Sequence, residues 1–248
     1  MVKFDMGAAW DDSVQLLKSH TALIATIAGV FFFLPALAVA WFGPVPIEPP
    51  AGASVEQSMA ALQQTFRQMI PGQIIVALTT IVGSAAILRL WLARTGISVG
   101  EALTFGLMFF PTLLAVQFLS GLAIGLGLIL LIIPGLYLVG RLTLAAPSVA
   151  DRSLYNPFEA LKTSWELTRN NGWVIFFFLF LVTIVIFIAA MIVGLVVGAI
   201  AGTGDGVGRM LGGVVEAGFG ALGSLVSVAI SAAAYRQLAT RTSTDVFQ

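Results

Sequence analysis

The chain consists of long apolar runs separated by short polar or Pro- and Gly-rich segments. A membrane-spanning helix needs about 20 mostly apolar residues, because the hydrocarbon core is roughly 30 Å thick. Six windows meet this length, at about 21–42, 73–92, 102–119, 124–141, 173–201 and 213–235. The pattern therefore predicts an all-α polytopic integral membrane protein, with six transmembrane helices in a single membrane domain over 1–248.

The third and fourth windows divide one uninterrupted apolar run. Between Glu101 and Arg141 lie 39 uncharged residues, which are too many for one span and enough for two short ones. Glycines in SGLAIGLG (120–127) favour a turn there, so we expect a tight helical hairpin folded at this segment. Pro134-Gly135 can form a packed kink or a broken helix that lines a substrate site. The kink is favoured, because only Pro111 hints at a matching break.

Three amphipathic segments lie outside these windows, at about 6–19, 54–70 and 157–170, and in each the apolar residues recur along one side of a helix. We expect them to lie at the membrane interface. The third has the clearest boundaries. Asn156 suits its N-cap, and Glu159 can close a capping box. Phe158 and Trp165 share its apolar face, whereas Glu159, Lys162, Glu166 and Arg169 are spaced for ion pairs.

The positive residues are distributed unequally between the two predicted membrane faces. Ten of the 12 fall on the side that carries the chain ends: Lys3, Lys18, Arg89, Arg94, Arg141, Arg152, Lys162, Arg169, Arg236 and Arg241. Arg67 and Arg209 fall on the other side. Cytoplasmic loops are enriched in Lys and Arg, so both termini are predicted to be cytoplasmic and the protein to lie in a bacterial inner membrane.

Composition excludes several classes of function. Hydrophobic residues make up 58% of the chain and charged residues 10%, with a mean hydropathy of +1.00, as is typical of membrane proteins. Twelve basic and 12 acidic residues leave no net charge to attract nucleic acid. With no cysteine and one histidine, the common metal sites and catalytic triads are missing. We therefore expect no metal, no cofactor and no catalytic activity.

Charged or strongly polar residues inside the windows are candidate functional residues, because each is costly to place in hydrocarbon. Arg89 and Arg141 lie near the ends of their spans, where snorkelling to the interface is favoured over a functional role. Gln117 is interpreted as a contact between helices rather than a ligand contact. Glu216 is expected to pair with Arg209 or to face the outer surface, with a proton-relay role as the alternative.

Small residues recur every four positions in the last two windows. Examples are Gly194 with Gly198, and Gly213 with Ala217. Such faces predict close packing of helices, either within the chain or in a homo-oligomer.

One segment carries a family resemblance: IPGLYLVGRLTLAAPSVADRSLYNPFEALKTSWELTRNNGW (133–173). Its pattern is Pro134-Gly135, Arg141, Pro147, Glu159-Ala160-Leu161, Ser164-Trp165, Leu167 and Arg169. This segment resembles the signature region of the YciC-like membrane proteins and of the related membrane domain joined to glycerophosphoryl diester phosphodiesterases. The resemblance implies a six-span membrane protein. It does not extend to the phosphodiesterase activity, because no segment supplies the clustered carboxylates and histidines of such a catalytic domain.

The leading hypothesis is a non-enzymatic envelope protein that engages membrane lipids or a membrane partner. Its candidate binding residues form a cytoplasmic platform of Arg141, Glu159, Lys162, Trp165, Glu166 and Arg169, in which basic residues lie near anionic headgroups. The alternative is a transporter or lipid-translocating protein, with Arg89, Gln117, Arg141 and Glu216 around a cavity at a broken fourth span. An intramembrane hydrolase ranks last, because no nucleophile and base pair is visible.

Overall fold

The structure is a computed structural model that describes residues 3–93, 96–202 and 206–244, with the side chains of the last helix described through 239. Arg94 and the side chain of Arg241 therefore lie outside the described part. The described helices are α1 (Met6–Lys18), α2 (Thr21–Ala28), a π-helical stretch (Gly29–Phe33), α3 (Leu34–Phe42), α4 (Val55–Leu92), α5 (Val99–Met108), α6 (Phe110–Leu130), α7 (Ile132–Leu142), α8 (Ala145–Arg152), α9 (Pro157–Leu167), α10 (Gly172–Ala201) and α11 (Val207–Thr244).

The described part of the chain is 85% helical and contains no strand. Six of its helical segments are long and apolar enough to cross a membrane. This confirms the predicted fold class, a multi-pass all-α membrane protein. The six segments are Thr21–Phe42, Val55–Leu92, Phe110–Leu130, Ile132–Arg152, Gly172–Ala201 and Val207–Ala239.

Both described ends of the chain lie at the same end of the helix bundle. The Phe4 N–H donates to Asn171 Oδ1 at 2.9 Å, and the Asp5 N–H donates to Gln237 Oε1 at 3.2 Å. We call this end the terminal face. At the opposite face, Trp41 Nε1 donates to the Met210 carbonyl at 3.0 Å, so the end of α3 meets the start of α11.

The first spanning segment widens into a π-helix before Pro35. Proline has no N–H, so Pro35 cannot donate to the carbonyl one turn earlier, and its ring crowds that carbonyl. The backbone responds with five residues of π-helix, in which the Leu34 N–H donates to Gly29. Such bulges keep the helix continuous at the cost of one wider turn.

The predicted interfacial helix at 54–70 and the predicted span at 73–92 are one helix. α4 continues through Pro71 for 38 residues, or roughly 57 Å, which is longer than the hydrocarbon is thick. Its start is fixed by a capping box between Ser54 and Gln57. The predicted division of this helix near Pro71 was wrong. Proline removes only one hydrogen bond, whereas ending the helix inside a membrane would leave further backbone groups without water to pair with.

The hairpin of the third and fourth spans turns at Leu131, not in 120–127 as predicted. The segment predicted as 102–119 is divided between α5 and α6, and the one predicted as 124–141 begins only at Ile132. Gly127 lies within helix α6. A Cβ there would lie 2.9 Å from Gly135 Cα, so this glycine allows close contact between helices and does not form a turn. Pro134 falls in the first turn of α7, where its missing N–H costs no helical bond. It neither breaks nor kinks the helix.

Helices α1 and α9 match the predicted positions but bury a different face. In α1 the residues Ala9 and Ser13 are buried, whereas Trp10 is 45% exposed. In α9 Ala160 and Ser164 are fully buried, whereas Phe158 is 66% exposed. Small residues thus form much of the protein contact, joined in α1 by Leu16, whereas Trp10 and Phe158 face outward, as expected where lipid is the surrounding solvent.

The predicted N-cap of α9 is confirmed, whereas its predicted capping box is not formed. Asn156 Oδ1 accepts from the Phe158 N–H at 3.0 Å, and Asn170 ends the segment with a φ of +66°. Capping boxes form instead at Ser54 and at Ser98. The Ser98 N–H and hydroxyl both donate to the Glu101 carboxylate and hold its pKa below the ordinary value.

Helices α7 and α10 approach each other closely at two glycines. A Cβ added at Gly140 would overlap the Gly172 carbonyl oxygen, and one added at Gly172 would lie 2.7 Å from Arg141 Cδ. Two of the predicted small-residue faces differ. A Cβ added at Gly213 would lie 2.9 Å from the Trp41 ring, whereas a Cβ at Gly194 would meet nothing within 4 Å. Close packing is therefore confirmed for one predicted face and is missing at Gly194.

We expect Gly140→Ala to destabilise the protein, because the new methyl group must force α7 away from α10. Overpacking of this kind costs about 1–3 kcal/mol. Gly121→Ala is the matched control: a Cβ there meets nothing within 4 Å, and alanine is the better helix former. Thermal unfolding in mild detergent measures both. Equal midpoints for the two variants would contradict the proposed contact.

Candidate functional site

Arg141 is buried at the end of α7 and binds the end of α9. It is 3% exposed, and its guanidinium donates to the carbonyls of Trp165 at 2.6 Å and Thr168 at 2.9 Å. The last carbonyls of a helix have no partner within that helix. The guanidinium supplies those donors and also lies 4.0 Å from the Trp165 ring centre.

The same contact is reinforced in the other direction. The carbonyl of Arg141 accepts from the hydroxyls of Ser164 at 2.7 Å and Thr168 at 3.1 Å. The Leu144 N–H donates to the Ser164 hydroxyl at 3.1 Å. Side chains of α9 therefore satisfy backbone groups where α7 ends, while Arg141 satisfies backbone groups where α9 ends.

The structure divides the predicted platform into two parts. Arg141 and Trp165 are in direct contact, but Arg141 points into the protein, so it is neither a snorkelling anchor nor available to headgroups. Lys162 and Glu166 lie on the exposed side of α9, 3.9 Å apart. Glu159 and Arg169 are exposed as well. An exposed pair of this kind contributes at most about 1 kcal/mol to stability.

Arg89 and Arg209 bind the ends of other helices in the same manner. Arg89 donates to the Ala150 carbonyl in the last turn of α8 at 2.7 Å, and its guanidinium lies 4.7 Å from the Phe105 ring centre. Arg209 donates to the carbonyls of Gly43 at 2.6 Å and Ala40 at 3.3 Å, at the end of α3. Arg89 is half-buried, and its predicted snorkelling to the interface stays a prediction. Arg209 binds backbone carbonyls instead of the predicted partner Glu216.

Glu216 and Gln117 do not converge with the two arginines. Glu216 is exposed on α11, two turns from Arg209. Gln117 lines a cavity between the helices, whereas Arg89, Arg141 and Glu216 do not. The predicted four-residue polar site of a transporter is therefore not formed.

The cavity that Gln117 lines has a volume of about 580 Å³. Helices α4, α6, α7, α8, α10 and α11 contribute to it, together with Thr143 between α7 and α8. Its lining is mostly aliphatic, with eight polar side chains: Thr80, Ser84, Gln117, Ser120, Thr143, Ser224, Ser227 and Ser231. The lining residues include no charged side chain among those that the structure describes. Gln117 and Ser227 are also exposed, so the cavity communicates with the surroundings.

Sequence reasoning found Gln117 but missed the hydroxyl residues around it. The signal was present as spacing. Ser224, Ser227 and Ser231 follow one another at three and four residues, and Thr80 and Ser84 are four apart, so each set shares one face of a helix. Serine and threonine are common in membrane helices as packing residues, which hides a cavity lining made of them.

The cavity can bind an uncharged ligand with both polar and apolar parts. Its hydroxyls and amide donate and accept hydrogen bonds, and its aliphatic walls receive hydrocarbon. Among the described residues, no group of three or more potential ligand side chains could hold a metal ion.

These features define the class: a multi-pass helical membrane protein with an uncharged, hydroxyl-lined cavity. Comparison with family models, with curated proteins and with solved structures finds no match for the chain. The resemblance of residues 133–173 to the YciC-like proteins stays a prediction.

We expect Arg141→Ala to destabilise the protein by about 1–3 kcal/mol, because it leaves the Trp165 carbonyl without its donor and the Thr168 carbonyl with only the Asn171 N–H. Arg141→Lys should recover only part of this loss, since an ammonium group lacks the planar fork of a guanidinium. Arg169→Ala is the control, because this exposed arginine should change stability by less than about 0.5 kcal/mol. Denaturation in detergent compares the three. Equal losses for Arg141→Ala and Arg169→Ala would contradict the role given to Arg141.

Proposed function

We propose that this protein is a non-enzymatic membrane protein that binds a membrane lipid in the hydroxyl-lined cavity. The observation that carries the proposal is the lining itself, in which aliphatic walls and hydroxyl groups occur together without a charge. A glycerolipid has the matching chemistry, with ester and hydroxyl groups beside acyl chains. A volume of about 580 Å³ falls within the ~300–1,000 Å³ typical of ligand sites and accommodates part of one lipid.

The exposed side of α9 supports the same proposal. Phe158 and Trp165 present aromatic surface there, and Lys162 and Arg169 present positive charge. Aromatic residues favour the level of the headgroups, and basic residues near anionic lipid contribute about 1 kcal/mol each. The uneven distribution of lysine and arginine favours a cytoplasmic position for this face in a bacterial inner membrane.

The cavity also supports a second candidate, a lipid-translocating protein, since a site among membrane-spanning helices can receive a lipid from either leaflet. The missing four-residue polar site weakens this alternative. A scrambling assay with fluorescent lipids in proteoliposomes separates the two: a binding protein leaves the lipid distribution unchanged, whereas a translocating protein equilibrates it.

We expect Ser120→Phe to reduce the lipid retained by the purified protein by about tenfold or more, because the ring fills part of the cavity and about 1.4 kcal/mol of lost binding energy already gives that factor. Leu122→Phe is the matched control, being on the same helix, 48% exposed and outside the cavity lining. Native mass spectrometry of both variants and the wild type measures lipid occupancy. If the Ser120→Phe variant retained as much lipid as the wild type, the proposed site would be overturned.

A further inference from the structure

The turn between α6 and α7 is unusual for a loop that emerges into water. Its five residues, Ile129–Ile133, are all leucine or isoleucine, and each is between 68% and 82% exposed. The segment that connects α3 to α4 at the opposite face reads GPVPIEPPAGA and is dominated by proline, glycine and alanine. A contiguous exposed patch of large aliphatic side chains marks a surface that contacts something other than water.

Helix α7 is too short to reach the opposite face. It has 11 residues, or about 16 Å, which is roughly half the thickness of the hydrocarbon core. Residues Ile132–Arg152 reach the length of a span only when α8 is added. However, α8 is already at the level of the terminal face, because Asp151 accepts from the Tyr235 hydroxyl at 2.8 Å and Arg236 contacts Asp12 at 3.1 Å.

The contact between Gly140 and Gly172 shows how far from the terminal face the turn between α6 and α7 lies, measured along α10. Gly172 follows Asn171, which accepts from the Phe4 N–H, so this contact lies at the terminal face. From there α7 extends eight residues to Ile132, or about 12 Å, whereas α10 extends 29 residues to Ala201, or about 43 Å. The turn therefore ends about 30 Å short of the far end of α10.

The other arm of the hairpin also begins on the terminal side. Near the start of α6, Thr112 donates to the Tyr155 carbonyl at 3.0 Å, and Tyr155 belongs to the connection between α8 and α9. The two arms are held together near the turn by Gly127 and Gly135, which approach too closely for a larger residue. Both arms thus lead back to the terminal face. Helix α6 has 21 residues, or about 31 Å, so a turn only about 12 Å from that face requires α6 to run obliquely to the membrane normal.

The backbone of the turn is suited to a nonpolar environment. Only Leu131 separates the two helices, and its N–H donates to the Gly127 carbonyl at 3.0 Å. Pro134 has no N–H, so the first turn of α7 contains one unpaired donor fewer. Unpaired backbone groups cost several kcal/mol each in hydrocarbon, and a break of a single residue keeps their number small.

We propose that α6 and α7 form a re-entrant hairpin, which enters the membrane from the terminal face and ends with Ile129–Ile133 among the lipid acyl chains. The occupant of this exposed surface is hydrocarbon, because its side chains offer neither charge nor hydrogen-bonding groups to a protein partner. Four segments then cross the membrane completely: α2 with α3, α4, α10 and α11. An even number of crossings is retained, so both termini stay on one side. This inference does not depend on lipid binding in the cavity.

Single-cysteine variants test the depth of the turn, since the chain has no cysteine of its own. Leu131→Cys marks the turn, Ala51→Cys marks the connection at the opposite face, and Lys162→Cys marks the terminal face. All three residues are exposed, so the substitutions disturb no packing. Each variant is labelled with a nitroxide and reconstituted, and collision rates with oxygen and with a water-soluble nickel complex are measured.

A re-entrant hairpin gives the Leu131 nitroxide frequent oxygen collisions and nickel collisions at least tenfold rarer than those at positions 51 and 162. An impermeant maleimide added to sealed vesicles should then fail to react with Leu131→Cys from either side. Nickel collisions at position 131 equal to those at position 51, or maleimide reaction from the same side as Ala51→Cys, would overturn the proposal and show six complete crossings.

Discussion

The structure depends on donors for the carbonyl groups at the ends of its short helices. The last carbonyls of a helix have no partner within the helix, and water is scarce inside a membrane domain. Three arginines supply these donors to neighbouring helices: Arg89 of α4 to α8, Arg141 of α7 to α9 and Arg209 of α11 to α3. Each contact fixes the end of one helix against another.

These contacts explain why a chain with few charges places arginines near helix ends. A guanidinium has five donors in a planar arrangement and stays charged, so it can bind two carbonyls and an aromatic face together. Arg141 does so with Trp165 and Thr168. The aromatic contact of Arg89 with Phe105 extends the same arrangement to α5. The two carbonyls satisfy the terminal nitrogens of Arg141, whereas its Nε is buried without a hydrogen-bond partner among the described residues.

The sequence predicted most of the helices, because a run of about 20 apolar residues has few alternatives to a helix in a membrane. The positions of α1, α9 and α10 and of the first span follow the prediction closely. Turns were less predictable. Gly127 and Pro134 have strong turn preferences in water, yet Gly127 serves helix contact, Pro134 begins a helix and the chain turns at Leu131.

The side of each helix that contacts protein can be predicted only if lipid, and not water, is taken as the surrounding solvent. Large apolar residues mark the core of a soluble protein, whereas lipid accepts them equally well. Small and hydroxyl residues therefore form contacts here, as at Ser13 and Ser164, beside large buried residues such as Ile87, and they also line the cavity. The role of Arg141 could not be predicted, because the carbonyls that it binds lie 24 and 27 residues away and no sequence motif records them.

Amide hydrogen exchange tests most directly whether each arginine holds one particular helix end. In Arg141→Gln, faster exchange should be confined to the second half of α9 and residues 168–171, and in Arg209→Gln to the last turn of α3. We expect the increase in amide exchange to be local in each variant and to fall at a different helix end, in protein that is otherwise folded. Unchanged exchange at both helix ends, or the same diffuse increase in both variants, would contradict it.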